Sequence, residues 1–216
     1  MTENTLQPIR VFHLQPGSGA QELAGLPQAP PAQGFYWIAC TRAAFSAELP
    51  RLQAALQTLA GQQLVDLHVS DLLNAQLPSH YDYTAQYDLL VVRRLAQAQA
   101  AGAAPLRTSA RGGPPVLRRI DTSPVGFAVF DQVLLSVHPE DCGVRDAYAA
   151  RLATPMAAAA TATAAEAVVH ELRSGPVAGA RLPASPADLM LRVVNHIVDN
   201  YLDLRRELSR QLDHWQ

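Results

Sequence analysis

The chain has 216 residues, 49% hydrophobic and 17% charged, which is enough to bury a sizeable core. Its formal net charge of −2 argues against general nucleic-acid binding, which depends on a basic surface. All 17 cationic side chains other than histidine are arginine. The absence of lysine excludes a P-loop, a kinase-type site and a Schiff-base cofactor, and no organic cofactor is predicted.

The sequence gives no sign of a leader or of a membrane-spanning segment. Its N-terminus lacks the apolar core of a signal peptide, and nowhere is there an apolar run long enough to span a bilayer. Cys40 and Cys142 are far apart and outside any CxxC pattern, which indicates neither a disulfide framework nor a cysteine zinc site. We therefore expect a soluble chain in a reducing, cytosolic environment.

The first part of the chain alternates strand-like and helix-like patterns. Residues 9–14 and 35–40 predict strands, and the proline- and glycine-rich segment 15–34 between them predicts a loop. Ser46 is positioned to cap a helix that ends at Gly61. This helix is predicted by leucines at spacings of three and four, namely Leu49, Leu52, Leu56 and Leu59.

The middle of the chain predicts a strand meander. Residues 62–77 indicate a short strand and a short helix that Pro78 ends, and residues 87–95 indicate a further strand. A polar loop rich in glycine and proline follows. Three more strand candidates come next, at 116–121, 125–130 and 132–138. A tight turn separates the last two, so the sheet is expected to be at least partly antiparallel.

Helical patterns dominate the C-terminal part. One helix is predicted over 142–153, and a second follows Pro155. The last helix has a capping sequence, with Ser185 as N-cap, Pro186 as first helical residue and Asp188 facing the free amides. The predicted fold is α/β, with a mixed, partly antiparallel sheet of six to seven strands, helices covering it, and a long C-terminal helix.

The terminal helix has the most regular pattern in the chain. Its apolar residues recur every three or four positions, close to the 3.5-residue period of a coiled coil. They are Met190, Val194, Ile197, Tyr201, Leu204, Leu208, Leu212 and Trp215. We expect residues 1–183 to form a domain and 184–216 to be the start of a projecting stalk helix, cut before its end. The alternative is that the helix folds back over the sheet.

Six arginines and no acid lie between Asp88 and Asp121. We interpret them as a solvated face or loop, and a contact with phosphate or an anionic lipid is the alternative. They are Arg93, Arg94, Arg107, Arg111, Arg118 and Arg119.

A pair of carboxylates on the terminal helix is the candidate metal site. Asp199 and Asp203 are four residues apart and so share one helix face, with His196 and Glu207 about one turn to either side. Magnesium prefers oxygen ligands and keeps several waters, which suits such a pair. The competing interpretation is a solvated face on which nearby arginines relieve the repulsion between carboxylates.

Other polar combinations are weaker candidates. His68, His80 and Asp82 can be imagined as zinc ligands, but their spacing is unconstrained and a structural or surface role is expected. The HEL stretch at His170 lacks the second histidine of a zincin, and no G-x-S-x-G nucleophile elbow occurs. We identify no catalytic constellation and expect no enzymatic activity.

In element order and in four stretches, the chain resembles the N-terminal cytoplasmic part of CorA-type divalent-cation transporters, including their zinc-transporting relatives. The likeness covers roughly residues 34–216. Its most specific part is residues 185–191 followed by IVDNY, with Asp199 and Tyr201, which resembles the start of that family's stalk helix. The other stretches are FYWIAC before a leucine-rich helix, LHVSDLLNAQLPSHYDYTAQYDLLVVRRL, and GFAVFDQVLLSVHPED.

The resemblance implies an α/β/α sandwich around a mixed sheet, feeding a helix that runs to the membrane. It also implies a following transmembrane segment of the same polypeptide, assembly with other copies as a homopentamer, and a position at the cytoplasmic face of the cell membrane. Magnesium-transporting members carry carboxylates after the strand that corresponds to 87–95, whereas this chain has AQAQAAGAAP there. Mg²⁺, Zn²⁺ and Co²⁺ are therefore all candidate ions.

The leading hypothesis is non-enzymatic. The chain is expected to be the regulatory cytoplasmic domain of a CorA-like divalent-cation transporter, which transmits ion sensing or domain packing to the pore through the stalk helix. The alternative is a self-contained intracellular α/β enzyme or small-molecule-binding protein whose last helix mediates dimerisation.

Overall fold

The structure is a computed structural model. Two predicted elements lie outside the described residues: the strand at 116–121, except for Asp121, and the helix after Pro155. The described residues are 8–15, 19–96, 121–140, 143–150, 152 and 182–213.

Within these described residues, seven strands form a single mixed sheet. They are β1 (Ile9–Gln15), β2 (Gly19–Leu23), β3 (Phe35–Thr41), β4 (His80–Tyr83), β5 (Asp88–Leu95), β6 (Thr122–Val129) and β7 (Val133–His138). Their order is β2-β1-β3-β7-β6-β5-β4. Neighbours are antiparallel except for β3 and β7, which are parallel. The predicted mixed sheet is thereby confirmed.

Helices cover both faces of this sheet. They are α1 (Arg42–Ala47), α2 (Leu49–Ala60), α3 (Asp66–Leu73), α4 (residues 143–150) and α5 (Pro186–Asp213). Apolar side chains of α1, α2 and α3 form one core cluster with the sheet, and those of α4 and α5 form a second cluster on the opposite face. The molecule is thus an α/β/α sandwich, as expected.

The central strand β3 is buried along its whole length. Successive side chains of a strand point to opposite faces, so its residues divide between the two cores. Ile38 packs with α1–α3, and Trp37 packs with α4 and α5. On β6, a Cβ added at Gly126 would overlap Leu72 of α3, so the glycine allows this helix to pack closely on the sheet.

The start of the first helical region differs from its prediction. Thr41 caps α1, because its Oγ1 accepts a hydrogen bond from Ala44 N at 3.1 Å. The prediction of Ser46 as an N-cap is wrong, since Ser46 lies inside α1. Strand β3 runs straight into α1, so the chain turns helical earlier than the leucine spacing indicates. The predicted end is confirmed at Gly61, which has a φ of 74°.

Two short strands lie where none was predicted. Strand β2 is within the segment predicted as a loop and pairs with β1, and β4 pairs with β5. Both are edge strands. The sequence of β2 has little strand propensity, and β4 is only four residues long although two of them are tyrosines. Backbone pairing with a neighbouring strand stabilises both. Conversely, no strand forms within 62–77, and α3 ends at Leu73, before Pro78.

The last helix packs on the sheet over its first half. Beyond Pro186, its buried residues are Leu189, Val193 and Ile197, each at most 1% exposed. Ile197 is buried as its apolar spacing predicted, whereas the two buried positions before it are displaced by one residue from the predicted Met190 and Val194, which are half-buried. Beyond Tyr201, the side chains that the structure describes are exposed or, at Leu204 and Leu208, half-buried. The helix thus lies over the sheet first and is mostly exposed afterwards.

None of the helices in the described part of the chain has the length and apolarity to cross a membrane.

Candidate functional site

The beginning of α5 is fixed by a reciprocal set of hydrogen bonds. Asp188 N donates to Ser185 Oγ at 3.1 Å, and Asp188 Oδ2 accepts from Ala184 N at 2.9 Å. This is the capping arrangement that the sequence predicted. One turn later, Arg192 Nε donates to Asp188 Oδ1 at 2.9 Å, and this hydrogen bond raises the pKa of the guanidinium. The four-residue spacing is the signal that would have predicted the pair.

Farther along, Tyr201 attaches α5 to the sheet. Its hydroxyl donates to the carbonyl oxygen of Arg93 on β5 at 3.0 Å. Burial raises the pKa of this hydroxyl, so the group stays a donor at neutral pH. The Arg93 side chain in turn donates to the carbonyl oxygens of Leu77 and Thr122. One residue of β5 therefore joins the last helix, β6 and the segment before β4.

The arginine stretch is not a solvated face in its described portion. Arg94 is 2% exposed and Arg93 is half-buried, so the interpretation is wrong for these two residues. Strand β5 places them beside β6, where neighbouring elements cover both side chains. The other four arginines lie outside the described residues.

The predicted metal ligands Asp199 and Asp203 both lie on α5 and are exposed, on either side of Tyr201 in sequence. Asp203 Oδ1 accepts a hydrogen bond from Arg206 Nη1 at 2.9 Å, with both side chains at least 70% exposed. Within the described residues, no three His, Cys, Asp or Glu side chains are arranged to hold a metal ion. The pair offers carboxylate oxygens from two residues, so a cation bound there would keep most of its water.

His68 is the centre of a hydrogen-bonded network. Tyr87 Oη accepts from Val65 N at 3.0 Å and lies 2.7 Å from His68 Nδ1. The hydroxyl proton is thereby available to Nδ1, and Nε2 can donate to Asp82 Oδ2 at 3.1 Å. This hydrogen bond holds the pKa of Asp82 below its usual value. His80 instead lies 3.6 Å from Asp71.

This network connects α3 to β4 and β5. Both ring nitrogens of His68 are engaged in hydrogen bonds, and the ring is 2% exposed. A zinc ion would have to replace one of these bonds, so the geometry favours the structural role over a zinc site.

Comparison with known proteins gives matches among solved structures. No protein-family model and no curated protein matches the sequence. The chain is similar to full-length CmaX, with a TM-score of 0.57 and 16% identity. It is similar to the CorA magnesium transporter from Methanocaldococcus jannaschii, with a TM-score of 0.58 and 11% identity. For the soluble domain of that CorA, the TM-score is 0.58 and the identity 12%.

These alignments each cover 95% of this chain. They cover 49% of full-length CmaX and of full-length CorA, and 62% of the CorA soluble domain. The chain thus spans about half the length of the full-length proteins that it matches. At such low identity, the likeness is one of fold. The chain has the fold of the CorA soluble domain, and the resemblance predicted from its sequence is confirmed at that level.

Proposed function

We propose that the chain is the regulatory cytoplasmic domain of a CorA-like divalent-cation transporter. The observation that carries this proposal is the fold: the seven-stranded sheet and the long last helix match the CorA soluble domain over 95% of the chain. The neighbour from Methanocaldococcus jannaschii is described as a magnesium transporter. Transfer of that function to this chain is the proposed step.

In this proposal, α5 transmits movements of the sheet. As far as Tyr201, the helix is held by three buried side chains, by the cap at Ser185 and by the Tyr201–Arg93 hydrogen bond. Beyond Tyr201, none of the side chains that the structure describes is buried. When the sheet moves, α5 therefore moves with it as a rigid helix. The exposed last turns of α5 then transmit this movement to a pore.

The cation of the proposal is Mg²⁺, Zn²⁺ or Co²⁺, and its ligands are Asp199 and Asp203. Each carboxylate lies two residues from Tyr201 in sequence, where α5 changes from a partly buried to an exposed helix. Arg206 already donates to Asp203, so a bound cation would compete with this exposed ion pair, which contributes little stability. Binding at this point would alter the helix directly beyond its last contact with the sheet.

The proposed partners are other copies of the chain and a transmembrane segment of the same polypeptide. Three apolar side chains of α5 are more than 40% exposed, namely Leu191, Val198 and Leu202. A helix of this kind can pack against its counterpart in another copy, as expected for a homopentamer at the cytoplasmic face of the membrane.

Calorimetric titration with MgCl₂, CoCl₂ and ZnCl₂ tests the metal part of the proposal. We expect at least one cation to bind the unmodified chain, and the double variant Asp199→Ala/Asp203→Ala to lose most of that affinity, because both carboxylates are removed. The matched control is Asp131→Ala, which removes an exposed acid from the turn between β6 and β7.

Unchanged affinity in the double variant would refute the assignment of Asp199 and Asp203 as ligands. Equal loss of affinity in the Asp131 control would point to a general effect of net charge. The transporter proposal rests on the fold and not on these two ligands, so neither result would refute it. Ion uptake tests that proposal separately.

A further inference from the structure

Two exposed tyrosines lie side by side on β4, the strand at one end of the sheet. Tyr81 and Tyr83 are 60% and 69% exposed, and residues two positions apart in a strand point to the same face. Their rings are stacked, with centroids 6.1 Å apart. Every other phenylalanine, tyrosine or tryptophan that the structure describes is buried or half-buried. The pair is therefore the one exposed aromatic surface in the described part of the chain.

Asp88 fixes a carboxylate next to this pair. It is the register partner of Tyr83 across β4 and β5, and its Oδ1 accepts a hydrogen bond from the Tyr81 hydroxyl at 2.9 Å. These contacts join the two rings and the carboxylate into one surface, which we call the tyrosine edge. Asp88 is exposed, and within the described residues its side chain pairs with no cation. Its second oxygen can therefore accept a hydrogen bond from a donor outside the chain.

The corner of the molecule around the tyrosine edge is acidic. Residues 52–92, which include α3 and β4, contain four aspartates and no arginine. Two of these acids join α3 to β4 through histidines: Asp82 Oδ2 lies 3.1 Å from His68 Nε2, and Asp71 Oδ2 lies 3.6 Å from His80 Nε2. A partner that binds at this corner is therefore expected to be cationic, since an anionic surface would be repelled.

The chemistry of the tyrosine edge suits a guanidinium group. A planar guanidinium can stack on an aromatic ring and donate to a carboxylate at the same time, whereas an ammonium group has no plane to stack. The outer backbone of β4 is less available to a partner, because Tyr83 N already donates to Asp82 Oδ1 at 2.8 Å. Side-chain contacts are thus favoured over the addition of a further strand.

We propose that the tyrosine edge binds an arginine side chain of a partner protein, with the guanidinium stacked on Tyr83 and hydrogen-bonded to Asp88. A second copy of this chain is a weaker candidate for the partner. Two of its exposed arginines, Arg51 and Arg206, are already paired with nearby acids. The proposal does not depend on cation transport, because the tyrosine edge contains none of the residues assigned to that function.

Titration of the chain with a short peptide, followed through the NMR signals of ring-labelled tyrosine, tests this proposal. The probe is a capped peptide with two arginines separated by one alanine. The control peptide has citrulline in place of arginine, which keeps the shape of the side chain and removes its charge. We expect the Tyr81 and Tyr83 signals to shift saturably with the arginine peptide, and less at high salt. The citrulline peptide should bind at least about threefold more weakly.

Variants of the chain identify the side chains that bind the peptide. Tyr83→Leu and Asp88→Asn should each raise the Kd of the arginine peptide by about twofold to fivefold, whereas Tyr83→Phe keeps the ring and should leave the Kd unchanged. Asp131→Asn is the matched control, because Asp131 is an exposed acid in the turn between β6 and β7. Equal affinity for both peptides, or a Kd that neither Tyr83→Leu nor Asp88→Asn changes, would overturn the proposal. Tyrosine signals that move with protein concentration alone would also overturn it, since they would assign the surface to a second copy.

Discussion

At the scale of single residues, the burial of His138 has a consequence for stability. The ring is 1% exposed, and its pKa in the folded chain is lowered to about 3 from an ordinary value of 6.5. The unfolded chain therefore takes up a proton in a pH range where the folded chain does not. Stability from this residue is complete above the unfolded pKa and is lost as the pH falls towards the folded one.

We predict that His138 makes the free energy of unfolding depend more steeply on pH. Between about pH 6 and pH 4, its contribution should fall by about 1.4 kcal/mol per pH unit. Denaturant unfolding of the wild-type chain and of His138→Gln across this range measures the difference. The variant should be less stable at neutral pH and show a flatter profile. Parallel profiles would mean that His138 is protonated in the folded chain.

At the scale of secondary-structure elements, features that depend on neighbouring residues in the sequence could be predicted, such as two helix ends. Features that depend on tertiary contacts could not. The ends of helices at Gly61 and Ser185 depend on a few neighbouring residues, and both were predicted. Strands β2 and β4 depend on a backbone partner from another segment, so their own sequences gave no signal. The burial of Arg94 likewise depends on neighbouring elements rather than on its local sequence.

In the last helix too, the sequence predicted the element but not its tertiary contacts. Its apolar stripe predicted a helix correctly, but the buried positions are Leu189 and Val193 rather than Met190 and Val194. Apolar spacing does not fix the rotation of a helix about its own axis to within one residue, and contacts with the sheet select the orientation. The hydrogen bond from Tyr201 to Arg93 helps to set that orientation and could not be read from spacing.

We predict that Tyr201→Phe weakens the attachment of α5 to β5. The change removes the hydroxyl that donates to Arg93 O and leaves this acceptor without that donor. A net loss of roughly 0.5–1.5 kcal/mol in the free energy of unfolding is expected. Chemical denaturation measures the loss, and amide hydrogen exchange should be faster in α5 beyond Ile197.

Tyr83→Phe is the control for this change. Tyr83 is 69% exposed on the edge strand β4, so its hydroxyl is available to solvent in the folded and unfolded chain alike. Its substitution should leave stability within about 0.5 kcal/mol of wild type. An equal effect of both substitutions would show that the hydrogen bond to Arg93 does not hold α5.

At the scale of the whole molecule, the order of elements carried more information than any single motif. The stretches around 35–40, 125–138 and 185–201 were weak separately, yet together they predicted a fold shared with the CorA soluble domain. The candidate ligands Asp199 and Asp203 were predicted from spacing alone, and their role in metal binding stays a prediction. The charge environment at His138 depends on residues from several elements and could not be predicted from spacing.

Self-association is predicted to depend on the exposed half of α5. Aspartates at two apolar positions, in the variant Leu204→Asp/Leu208→Asp, should abolish any oligomer because a packed helix interface would bury both charges. Sedimentation velocity measures the change. Leu67→Asp is the control, since Leu67 is 63% exposed on α3. An unchanged profile in the double variant would exclude the face of α5 that carries Leu204 and Leu208 as the contact between copies.

The central claim, that the chain serves a divalent-cation transporter, is tested most directly by uptake. Cells expressing the complete reading frame that encodes this chain should take up Mg²⁺, Co²⁺ or Zn²⁺ faster than cells with an empty vector or with residues 1–216 alone. We expect Tyr201→Phe in the complete frame to alter the dependence of uptake on cation concentration. Uptake of all three ions at the empty-vector rate, with the protein present in the membrane, would contradict the account.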